Sequence, residues 1–109
     1  MQDGFYLAQF ANGRDAGHGV VVKRGETVVG GDSSHWYEGT ITDTRDGSVS
    51  GHITVRQHTP GNPSVFGFFD EFPLNVAGRQ NGDAWQLVGT TPVAPGRPMQ
   101  LNLRMLRAD

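Results

Sequence analysis

Four histidines and one Asp-Ser-Ser-His run hold most of the chemical potential of this sequence. The histidines are His18, His35, His52 and His58. Imidazole is a common metal ligand, but a zinc site needs three or four ligands converging on one point. His52 and His58 fall on one face of an extended segment, yet six residues of strand span about 20 Å. Arg56 lies between them and opposes a cation. The expectation is therefore no metal and no cofactor, with the four histidines as solvent-facing strand residues. Asp32-Ser33-Ser34-His35 contains the side chains of a hydrolytic triad. Adjacency does not make the three groups converge in space, and no Gly-x-Ser-x-Gly elbow accompanies them. Their expected task is local, with Asp and Ser oxygens capping backbone donors of a loop. Asp70 and Glu71 should point to opposite sheet faces, which argues against a paired-carboxylate acid/base unit. Gly17-His18-Gly19 and Gly30-Gly31-Asp32 match neither a dinucleotide fingerprint nor a phosphate-binding loop, and read as bends or bulges. No residue is singled out as catalytic, and the chain reads as a binding protein.

The elements that must position these residues are strands. Helical periodicity is hard to find, two-residue alternation is common, and turn signals recur about every 10 residues, the rhythm of an all-β sandwich or barrel. Sixteen glycines with many Thr and Val fit the same picture. Eight strands are predicted: Phe5–Phe10, His18–Arg24, Thr27–Gly30, His35–Thr44, Ser48–His58, Phe66–Gly78, Asp83–Thr91 and Met99–Arg107. Asp46-Gly47 is a hairpin signal of type I′ character, and Asn81-Gly82 is a second. Pro60 and Pro63 stop the fifth strand. Eight short strands in sequence order predict an antiparallel up-and-down β-barrel, whose closure removes edge strands.

The last strand sets the orientation. Met99, Leu101, Leu103 and Met105 alternate with Gln100, Asn102 and Arg104, so one face is buried and one is wet. The same interior should take Tyr37, Ile53, Val55, Phe72, Leu74, Val76, Trp85 and Leu87. An eight-stranded barrel is either filled by its side chains or holds one small ligand. Large interior aromatics such as Trp85 and Phe72 favour filling. The alternative is a carrier of a small apolar ligand, with adaptable methionines in its wall. Among Phe66, Phe68 and Phe69, alternation sends at least one ring outward, where it could serve a partner surface.

Composition bounds the remaining classes. A chain of 109 residues is one domain, spanning residues 1–109. Its formal net charge is −2, and no basic stripe marks a direct nucleic-acid binder. The absence of cysteine removes disulfides, thiol chemistry and cysteine-based zinc sites. No secretory leader and no long apolar run is visible, so a soluble, cytoplasmic protein is expected.

The ordered residues Asp3-Gly4-x-Tyr6, Phe10, Gly19-Val20-Val21-Val22, Gly30-Gly31-Asp32 and Tyr37-x-Gly39 carry a family resemblance over roughly residues 3 to 58. In these the chain resembles the GrlR-type negative regulators of type III secretion. The resemblance implies a lipocalin-like eight-stranded barrel, a homodimer, and binding to a transcriptional activator through an exposed loop. That loop corresponds to Asp43, Thr44, Arg45 and Asp46, two acids and one arginine in this sequence. Gly4-Phe5-Tyr6 is also loosely similar to the Gly-x-Trp of lipocalins.

Overall fold

In the computed structural model, which describes residues 1–61 and 70–109, eight antiparallel strands close into one barrel. They are β1 (Gly4–Ala11), β2 (Ala16–Arg24), β3 (Thr27–Gly31), β4 (His35–Asp43), β5 (Ser48–Gln57), β6 (Glu71–Asn81), β7 (Ala84–Thr90) and β8 (Met99–Ala108). Each strand pairs with the next in sequence, and β8 returns to β1. The expected up-and-down architecture is therefore what forms. Of the predicted sixth strand, the described part starts at Glu71 and runs on to Asn81. Phe66, Phe68 and Phe69 lie outside the described residues.

Alternation does the sorting. On β6, Phe72, Leu74 and Val76 are buried, while Glu71, Pro73, Asn75 and Ala77 are exposed. Pro73 lacks an N–H, and it lies where β6 has not yet begun to pair with β7, since that register starts at Asn75. Tyr6 and Ala8 on β1, Ile53 and Val55 on β5, and Leu87 on β7 complete the inward set. Trp85, Leu101 and Met105 also pack against this core, but are only partly buried.

The turns correct one expectation. A type I′ turn needs positive φ at both central residues. Gly47 has φ +85° but Asp46 does not reach positive φ. Thr44 donates its N–H to Ser48 O at 2.9 Å, and Gly47 donates to Thr44 O at 3.4 Å. This is a three-residue loop with glycine in the left-handed position, which lets Asp46 keep an ordinary conformation. The β6–β7 turn has two residues, because Asn81 pairs with Ala84. Its first central residue is Gly82, at φ +65°.

The barrel has two ends of different character. The short β2–β3, β4–β5 and β6–β7 turns and both termini lie at one end. There Tyr6 donates its hydroxyl to Gln2 O, and the inward Lys23 donates to Asp3 Oδ1 at 3.2 Å and Gly25 O at 2.5 Å. The longer connections lie at the other end, where Ala94 and Thr91 are buried in the β7–β8 link.

Candidate functional site

The loop end of the barrel is hollow. A cavity of about 770 Å³ runs inward from it. Its walls are apolar, formed by Val21, Ile53, Val55, Phe72, Leu74 and Leu103 among others. Small residues make the room. Ala8, Gly17, Gly19 and Gly31 line the β1–β3 wall, where larger side chains would fill it. The expectation of a filled core is thus overturned for half the barrel. Trp85 does not line this space, because it lies near the short-turn end, next to Ala84 at the start of β7. Phe72 forms wall and not plug. Tyr6, Val49 and Leu87, each almost fully buried, pack the closed end.

Polar groups gather where β3 hands over to β4. Asp32 Oδ1 accepts from the Ser34 and His35 amides, both at 2.8 Å, and Tyr37 donates its hydroxyl to Asp32 Oδ2. The loop is anchored in turn, because His58 and Thr59 donate their amides to Ser34 O at 2.9 and 3.2 Å. Burial pushes the Asp32 carboxyl upward, but the Tyr37 hydroxyl and the two amides outweigh it and hold it below its ordinary value. The Tyr37 hydroxyl is driven well above the usual tyrosine range by burial and by the neighbouring Asp32. The Tyr37 ring meets Phe10 edge-on at 6.5 Å, which aligns two aromatic walls of the cavity.

His35 corrects the reading of the histidines as solvent-facing. It is 5% exposed and lines the cavity. Its Nε2 is buried with no hydrogen-bond partner among the described residues, a condition that costs about 1–3 kcal/mol. A usable signal was present, since His35 and Tyr37 alternate onto one face and Tyr37 is inward. The other three histidines are exposed. His52 bonds Asn75 Oδ1 at 2.6 Å across the outer wall, and His58 bonds Asp32 O at 2.9 Å. Among the described residues no three His, Asp or Glu side chains group as a metal site.

The Asp32-Ser33-Ser34-His35 run therefore forms a capped turn, as its loop reading expects. His35 Nδ1 stands 3.9 Å from Asp32 Oδ1, beyond hydrogen-bond reach. Asp70 precedes β6 and is exposed, while Glu71 points outward to Arg56 Nε at 2.7 Å. Arg56 also donates to Glu38 Oε1 at 2.5 Å and lies 4.9 Å over the Trp36 ring.

At the opposite end, Asp43, Thr44, Arg45 and Asp46 form the exposed tip of the β4–β5 hairpin. Asp43 pairs with the terminal ammonium at 2.5 Å. Asp46 accepts from Thr44 Oγ1, from Ser48 N and Oγ, and from Arg79 Nη2 at 3.1 Å. The Ser48 and Thr44 bonds, with Arg79 nearby, hold the Asp46 carboxyl far below its ordinary value. Both acids are thus engaged within the chain.

The outer wall is uneven in polarity. Phe5 and Leu7 on β1 stand opposite Val22 and Val20 on β2, and Val22 opposite Val29 on β3. Phe5, Val20 and Val29 are 40–46% exposed. The corresponding face of β5 and β6 carries Ser50, His52, Thr54, Arg56, Glu71, Asn75 and Arg79. The middle of the β1–β3 flank is therefore less polar than the β5–β6 face.

The chain thus combines a small closed barrel with a capped polar cluster, a hollow end and an apolar flank. Its family is defined by sequence. The family model described as T3SS negative regulator, GrlR matches residues 1–95, and the chain belongs to that family. Among curated proteins no relative matches the chain.

Proposed function

We propose that this protein acts as a negative regulator of type III secretion by binding a protein, with no enzymatic activity of its own, and that the bound protein is a transcriptional regulator in the cytoplasm. The observation that carries the binding reading is the apolar flank formed by Phe5, Leu7, Val20, Val22 and Val29. Five apolar side chains that neighbour one another across three strands mark an association surface, since a solvated antiparallel face is ordinarily polar. The occupant is a second copy of the chain, flank against flank, in an isologous homodimer. The β4–β5 hairpin, with Asp43, Thr44, Arg45 and Asp46, is at the short-turn end and stays available for the transcriptional regulator. Family membership supports the regulatory role. The net charge of −2 supports a role without direct nucleic-acid contact.

Light scattering behind a sizing column tests the homodimer. The wild type should elute at twice the chain mass, and Val20→Asp with Val29→Glu should give a monomer with an unchanged circular dichroism spectrum. A wild-type monomer at 50 μM, about the concentration a weak dimer needs, overturns the homodimer.

The hairpin has its own test. Because Asp43 and Asp46 are already paired within the chain, the tip should be read by shape more than by charge. Binding to the activator of the secretion genes should therefore weaken less than about threefold between 50 and 300 mM salt, a range that screens exposed charges strongly. Asp46→Ala frees Thr44, Ser48 and Arg79 from their acceptor and should weaken binding about tenfold. A steep salt dependence with a silent Asp46→Ala would reject the hairpin as the contact.

A further inference from the structure

The hollow half of the barrel has no part in that regulatory reading, and its wall has chemical direction. We infer that it binds one medium-chain apolar molecule ending in a hydroxyl, of the fatty-alcohol class, with the chain inside the barrel and the hydroxyl at the Asp32–His35 end.

Size comes first. A volume of about 770 Å³ lies within the roughly 300–1,000 Å³ of small-molecule sites. The deep walls are Val21, Val28, Ile41, Leu74, Val76 and Leu103, which offer no hydrogen bonds and suit an alkyl chain. Tyr6, Val49 and Leu87 fill the barrel below, so the chain can enter only from the loop end and must leave its head there.

The head follows from the polar lining. Asp15, Asp32, His18, His35 and Tyr37 are its titratable side chains, and no lysine or arginine joins them among the described residues. The Asp32 carboxylate is fixed by Tyr37 and two amides. An anionic head would therefore meet two carboxylates and no permanent cation. His35 lines the cavity; its Nε2 is buried without a partner and would meet the head through a turn of the ring, and which ring nitrogen carries the proton decides whether it must give or take a hydrogen bond. A hydroxyl does either. An ionised carboxylate only accepts.

The test is a fluorescence titration with N-phenyl-1-naphthylamine, followed by displacement with 1-decanol or decanoate at pH 8. The wild type should bind the probe with one saturable site. Decanol should displace it at about tenfold lower concentration than decanoate, a difference worth about 1.4 kcal/mol. Leu103→Trp and Ala8→Phe, which fill the cavity, should each weaken probe binding at least about tenfold while the barrel still melts cooperatively. His35→Phe should retain the probe and bring the two competitors within about threefold of each other. Absent saturable binding, or undiminished binding by a folded cavity-filling variant, overturns the cavity. Decanoate competing as well as decanol overturns the head group. Should the variants fail to fold, the competition on the wild type decides alone. None of these readings depends on oligomeric state or on secretion, so failure here leaves the regulatory proposal standing.

Discussion

Replacing Gly39 with valine should abolish cooperative folding. A Cβ at this position would meet His52 O at 2.0 Å and Ile53 Cα at 2.8 Å. Both are backbone atoms of β5, so no rotamer change relieves the clash. Gly39 pairs with Ile53 in the middle of the β4–β5 ladder, and pushing these strands apart breaks hydrogen bonds on both sides. Overpacking ordinarily costs about 1–3 kcal/mol, and a collision with backbone belongs above that range, at about 4 kcal/mol or more. That is a large part of the stability of a small domain. Urea unfolding followed by far-ultraviolet circular dichroism should show no transition, or one with its midpoint at less than half the wild-type value. Gly47→Ala provides the contrast, because nothing stands within 4 Å of its Cβ position. Its cost arises only from the φ of +85° and should be near 1 kcal/mol. Equal midpoints for the two variants would refute the close-approach argument.

Asp32→Ala should cost about 3 kcal/mol, the scale for a charged acceptor that several buried donors share. The Ser34 and His35 amides and the Tyr37 hydroxyl would all lose their acceptor. Acid should erase the difference. The folded-state value of Asp32 lies below the ordinary one, so its contribution is complete above the unfolded carboxyl pKa of about 3.9. It is lost as pH falls through the folded value. Wild type and Asp32→Ala should thus differ most near neutrality and converge as the pH falls through the folded-state value of Asp32. A gap that stays constant from pH 7 to pH 2 would show that the carboxylate charge contributes nothing.

The barrel was legible because its rules are local. Alternation on β8 marked Met99, Leu101 and Leu103 as inward and Gln100 and Arg104 as outward, and each falls on that face. Breaks at Arg24-Gly25 and Asp46-Gly47 separated the strands to within one residue of their observed ends, whereas before Asn81-Gly82 the sixth strand runs three residues past its predicted end at Gly78. The hollow was not legible, because volume is a sum over eight strands that no single window contains. Phe72 is buried and Trp85 packs against the core, but their heights along the barrel axis depend on register, and register decides whether a ring plugs or lines. The Asp32–Tyr37 bond joins a loop residue to a strand residue five positions on, a pairing set by the turn between them. Lys23 follows the inward alternation of Val21, and its burial rests on the turn oxygen of Gly25 and the carboxylate of Asp3, partners that hydropathy does not reveal.

The seam between β1 and β8 brings together residues such as Gly4 and Ala108, which are nearly the whole chain apart. On the ribosome, β1 emerges first and must wait for the last strand to be made before its second edge is paired. Until then each nascent chain displays an open ladder of donors and acceptors. Closing it carries the loop entropy of almost the entire polypeptide, which slows folding. Crowded polysomes are therefore where this protein is most exposed to mispairing with its own copies. A fusion at the amino terminus that sterically shields β1 during synthesis should raise the soluble yield, whereas slowing translation through the β8 codons should lower it.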